Sequence, residues 1–120
     1  MQIGWLARSP YEWSHHIKIG YDFGVTDADI EALKAESRGE ASALEPLARL
    51  VLKAAREVYA GPGIGYETFA ALRAALDNDS IVDLTVTASF YCAVVRVLAS
   101  LEVDVEESYM PYLRKHPFPV

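Results

Sequence analysis

Residues 81–101, IVDLTVTASFYCAVVRVLASL, contain neither glycine nor proline, and that uninterrupted length constrains the fold more than any other feature of the chain. Its valines and threonines taken singly favour strands, but a run of about twenty residues outlasts an ordinary strand. Ile81, Leu84, Ala88, Tyr91, Val95 and Leu98 recur at spacings of three and four, which is the period of a helix face. The spacing predicts one long helix. A second stripe, Leu47, Leu50, Val51, Ala54, Ala55 and Val58, predicts another after Ser42 to Glu45, which read as a capping box.

Punctuation places the remaining elements. Ser9 as cap, Pro10 at the first helical position and Glu12 three residues after the cap predict a helix to about Phe23, closed by Gly24. Thr26 caps the next, with Asp27 and Asp29 at the positive end of its dipole and Ile30 and Leu33 inward; it ends near Gly39. GPGIG at 61–65 is a loop. It leads to a helix with Phe69, Leu72 and Leu76 inward, and Asn78, Asp79 and Ser80 supply the following turn and cap. The tail MPYLRKHPFPV, with three prolines, is expected to lie extended over a surface. The expected architecture is all-α, about five helices with short connections, in one domain spanning residues 1–120.

Composition narrows the function classes. A chain that is 52% apolar and 23% charged can build a core. A net charge of -6 and no run of Lys or Arg argue against nucleic acid and anionic lipid. Cys92 is the only cysteine, so no internal disulfide or CxxC pair exists, which fits a reducing cytoplasm. The opening residues lack the basic start and apolar run of a signal peptide. The most apolar segment, Leu84 to Val95, is 12 residues long and too short to span a bilayer, so a soluble protein without a membrane partner is expected.

The chemistry concentrates in SPYEWSHHIKIG, residues 9–20. Four residues apart on a helix, Glu12 and His16 share a face, whereas Trp13 and His15 turn away from it. A carboxylate beside an imidazole fixes which nitrogen carries the proton and lets the pair exchange protons near neutral pH. The helix start attracts an anion. The plain alternative is that Glu12 only caps and the pair is a weak surface contact. Glu12 and His15 also form E-x-x-H, the spacing of dinuclear metal bundles, but no second such motif follows and the remaining histidine, His116, lies in the tail; no metal is expected. Cys92 reads as a small core residue rather than a nucleophile. Tyr11, Trp13 and Trp5 read as pocket or core aromatics.

YEWSHH followed by IKIGYDFGVTDADIEAL resembles the signature segment of the carboxymuconolactone decarboxylase family, related to alkylhydroperoxidase D. Tyr11, Glu12, Trp13 and His16 match its Tyr-Glu-Trp-x-x-His, and Gly24, Val25, Thr26 and Asp27 match the turn that follows; a looser likeness covers most of residues 3–105. The peroxidase branch carries cysteines at the positions of Ser9 and Glu12, so thiol peroxidase chemistry is not expected here. The resemblance implies an alkylhydroperoxidase D-like helical fold and a carboxy-lyase needing no cofactor, acting by decarboxylation or proton transfer on a small cyclic carboxylic acid or lactone. His16 is then the proton donor to carbon, Glu12 its partner, and Arg8, Trp13 and Tyr11 the substrate-binding residues, with Arg8 holding the substrate carboxylate. The family carries further helices ahead of this segment, including an acidic site residue, whereas here it begins close to Met1. Apolar faces left open by that difference predict a homo-oligomer. The alternative is a noncatalytic helical oligomerisation module.

Overall fold

The computed structural model describes residues 1–120 and is all-helical. Seven α-helices follow one another: α1 (Gln2–Leu6), α2 (Pro10–Asp22), α3 (Asp27–Ser37), α4 (Pro46–Ala60), α5 (Tyr66–Ala75), α6 (Asn78–Ser100) and, after a single 3-10 turn at Glu107–Tyr109, α7 (Met110–Lys115). The five expected helices are α2 to α6. The two additional ones are short, and α1 stands in the stretch ahead of the YEWSHH segment. The tail departs from the expected extended course over Met110–Lys115, which form α7 and pack against α2, while residues 117–120 are without regular structure.

α4 is the central helix, packing against α1, α3, α5 and α6. Its stripe is carried by Ala54 and Ala55, both buried, with longer apolar residues half-buried on either side. Three hydrophobic clusters result. Trp5, Trp13, Ile17, Ile30 and Leu33 join α1, α2 and α3, with Phe118 of the tail stacked on Trp5. Ile3, Ala55 and Val95 join α1, α4 and α6. Ala54, Leu72 and Ile81 join α4, α5 and α6. On α5 the inward residues are Thr68 and Leu72; Phe69, expected inward, is 41% exposed. Thr68 turns in because its hydroxyl donates to Glu57 of α4 at 2.7 Å, and the Gly65 N–H donates to the same carboxylate, closing the 61–65 loop.

Caps differ from the expected pattern in an informative way. Thr26 and Asp29 form a reciprocal capping box on α3. Asp77, rather than the three residues after it, caps α6 by accepting from the Ser80 N–H at 2.8 Å. Pro46 opens α4 without a side-chain cap, and Ser42 donates to Glu36 instead. Ser9 stands at the N-cap of α2, but its side chain makes no capping bond, so the box with Glu12 does not form. Gly24, at φ +87, closes α2 in the left-handed conformation that glycine adopts without a Cβ penalty.

α6 is 23 residues long, and by length and composition it is long and apolar enough to cross a membrane. The expectation drawn from Leu84 to Val95 alone therefore does not extend to the whole helix. Its inner face carries Ile81, Ala88 and Val95, while Val82, Val86, Phe90 and Val97, with Leu101 at its C-cap, form an exposed outer stripe.

Candidate functional site

The absence of a capping box at α2 frees the Glu12 side chain, which turns into the interior. α1 lies across that point: a Cβ added to Gly4 would stand 3.1 Å from the Glu12 Cβ, so any larger residue would require the two helices to give by a few tenths of an ångström. The Glu12 side chain is 9% exposed and that of His16 is 21% exposed, so both are largely withdrawn from solvent.

The hydrogen bonds fix the imidazole. His16 Nδ1 lies 2.9 Å from the Glu12 backbone carbonyl, which can only accept, so Nδ1 carries the proton and donates. Glu12 Oε2 lies 3.0 Å from the same nitrogen, but the N–H is already committed to the carbonyl and this oxygen has no hydrogen-bond partner. Nε2 is then the basic nitrogen. It accepts from the Tyr91 hydroxyl at 3.1 Å, and the Tyr91 ring meets the imidazole edge-on at 5.0 Å. Burial raises the Glu12 carboxyl above its ordinary pKa and lowers the His16 imidazole below its own, since desolvation penalises both charged forms. The imidazole is held as a neutral base with one defined tautomer.

Glu12, His16 and Tyr91 border a cavity of about 470 Å³ between α1, α2, α4 and α6. Ile3, Leu33, Val51, Leu52 and Leu84 supply much of its apolar wall, and Gln2 and Thr87 add neutral polar groups. The Gln2 amide is oriented by a chain in which its Nε2–H donates to Ser37 Oγ at 2.8 Å and that hydroxyl donates to the Leu33 carbonyl at 2.8 Å. A largely apolar hollow with a few convergent polar groups is the usual form of a small-molecule site.

No protein-family model, curated protein or solved structure matches the chain.

The structure brings together Glu12 and His16 and separates the other three candidates from them. Trp13 is fully buried, with Nε1–H donating to the His116 carbonyl at 2.8 Å, so it anchors the tail. Tyr11 stacks on His15, ring centroids 4.0 Å apart, on another face of α2. Arg8 sits at φ 48 in the turn between α1 and α2 and borders two other hollows, one under the tail and one beside α6. None of the three borders the cavity at His16. His15 is held between the Tyr11 and Tyr109 rings, with Nε2 3.3 Å from Glu106, so it and Glu12 face different neighbours. Cys92 is half-buried against the Ile3, Ala55 and Val95 cluster.

Tyr91 is the residue that sequence reasoning placed on the inward stripe of α6 without giving it a role. The available signal was a hydroxyl on an otherwise apolar helix face, since a buried Tyr O–H seeks a partner. Which partner it finds is set by tertiary packing that brings the Tyr91 side chain of α6 within reach of His16 on α2, 75 residues away in sequence.

Proposed function

We propose that the chain is an acid–base enzyme of the carboxymuconolactone decarboxylase type, with an alkylhydroperoxidase D-like helical fold, moving a proton to or from carbon on a small cyclic acid or lactone without a cofactor. The observation that carries this reading is a neutral imidazole of fixed tautomer whose basic nitrogen, His16 Nε2, stands at the wall of an apolar cavity beside a hydroxyl. Glu12 orients the ring through its backbone carbonyl and places a carboxyl oxygen where an imidazolium would form. Tyr91 O–H is the group that meets a developing oxyanion when Nε2 is engaged by substrate. The largely apolar walls strengthen each of these interactions. The setting is a soluble, cytoplasmic protein.

The same proposal includes self-association. The outer stripe of α6 runs about 30 Å from Val82 to Leu101 at 1.5 Å per residue, and Phe69 of α5 continues it. An apolar face of that extent exceeds the scattered exposure normal for a monomer. A second copy presenting the same stripe covers it in an isologous contact.

That stripe also favours a second reading, a noncatalytic helical module whose purpose is assembly. Turnover separates the two. His16→Gln is expected to abolish proton transfer to carbon, by about 100-fold or more, while leaving circular dichroism and assembly size unchanged. Undiminished turnover in that variant would leave the assembly module as the better description.

A further inference from the structure

The charge of the cavity at His16 bears on what enters it. No Lys or Arg side chain borders it; its ionisable groups are Glu12, His16, Tyr91 and the Met1 amino group. Burial lowers the Met1 amino group below its ordinary pKa, and Glu12 already stands as its opposing charge. Cationic side chains gather instead in separate hollows: Arg8, Lys34 and Arg38 under the C-terminal tail, and Arg49, Lys53 and Arg56 beside Glu36. Under the tail Lys34 pairs with Glu31 at 2.7 Å and Arg38 with Glu40 at 2.7 Å. A carboxylate brought to His16 would leave water for apolar walls and an acidic neighbour, with no Lys or Arg to receive it and the one amino group at the cavity already opposed by Glu12, which is a costly burial.

We infer that the substrate bound beside His16 is an uncharged cyclic carbonyl compound, its ring against Ile3, Val51, Leu52 and Leu84 and its oxygen toward Tyr91. This inference rests on the acid–base reading of the site and selects, within it, proton transfer over loss of carbon dioxide from an anionic acid. The step balances within the residues present. His16 Nε2 takes a proton from the carbon next to the carbonyl. The C–H electron pair becomes the double bond of an enolate, and the carbonyl pair moves to oxygen, where the Tyr91 O–H, released from Nε2, donates to it. Return of the proton from Nε2 to the same carbon exchanges it; return to a conjugated carbon shifts a double bond.

The test uses the full chain with isotope-labelled histidine and tyrosine, titrated at pH 7 with cyclohexanone and with cyclohexanecarboxylate, which share a ring and differ in charge. Cyclohexanone is expected to shift the His16 and Tyr91 resonances with a dissociation constant at least about tenfold below that of the carboxylate. Equal or tighter binding of the carboxylate overturns the inference, and so does a titration in which neither ring moves those signals. Thr87→Lys places a cation at the exposed rim of the cavity and is expected to shift the preference severalfold toward the carboxylate; an unchanged ratio contradicts charge selection by the walls. Deuterium uptake at the α-carbon of cyclohexanone in heavy water, compared between the wild-type chain and His16→Gln, reports on the underlying reading separately. Selective binding with no His16-dependent exchange retains the neutral ligand class and removes the acid–base role.

Discussion

At the scale of single residues the site depends on one proton being in one place. The Glu12 carbonyl holds it on His16 Nδ1, and Tyr91 meets the other nitrogen. Tyr91→Phe keeps the edge-on ring contact and removes the hydroxyl. It is expected to lower proton transfer at carbon by about tenfold or more with little change in thermal stability, read by isotope exchange and melting temperature. The pH response has a defined sign. Because burial lowers the His16 pKa, the folded chain binds fewer protons than the unfolded chain between the folded midpoint and about 6.5. Stability is therefore fully present above the ordinary imidazole range and is lost as pH falls through that window. His16→Gln is expected to flatten this acid-side loss in urea titrations at successive pH values, and an unchanged slope would show that His16 is not its source. Glu12, whose pKa is raised, contributes in the opposite direction, with stability lost as pH rises through its folded midpoint.

Helices set the geometry that these residues use. Gly4 permits the close crossing of α1 over α2, and a Cβ there would also stand 3.2 Å from the Trp13 backbone nitrogen. Gly4→Ala is expected to destabilise the fold by about 1–3 kcal/mol, measured by chemical denaturation, through forced separation of the two helices. The tail is fixed as firmly. Trp13 donates to the His116 carbonyl, while the His116 ring lies 3.0 Å from Asp27 and 3.1 Å from Glu31. Trp13→Phe is expected to cost about 1–3 kcal/mol by leaving that carbonyl unpaired, with hydrogen exchange accelerating first in α7. These two elements are also where the sequence was least informative. The periodicity of α4 and α6 was legible because many residues repeat it, whereas α1 has five residues and shows no period. The prolines of the tail signalled an extended chain, but tertiary contacts with Trp13, Asp27 and Glu31 outweigh local preference there. Glu12 was legible as the partner of His16 and also as a cap. Burial of its side chain by α1, which nothing in the spacing reveals, decides between the two. Arg8, Tyr11 and Trp13 lie within four residues of Glu12 in sequence yet point to other faces of the turn and helix, so nearness along the chain did not translate into a shared cavity.

For the molecule as a whole, the chief unbalanced feature is the outer face of α6, where Phe90 is 62% exposed and Val86 61% exposed. Phe90 also contacts the Tyr91 ring at 5.8 Å, so this exposed face lies one residue from the site. Phe90→Asp is expected to convert the assembled species to a monomer in analytical ultracentrifugation at micromolar concentration while preserving helix content. A wild-type chain that sediments as a monomer, or that partitions into neutral lipid vesicles, would contradict self-association through α6.

The state of the His16 ring tests the account most directly. Long-range proton–nitrogen correlation spectra of the labelled chain, assigned with His16→Gln and followed across pH, report both its tautomer and its midpoint. The account predicts a proton on Nδ1, a free Nε2 and a midpoint below that of an ordinary imidazole. A proton on Nε2 in the neutral ring, or a midpoint at or above about 6.5, would contradict it.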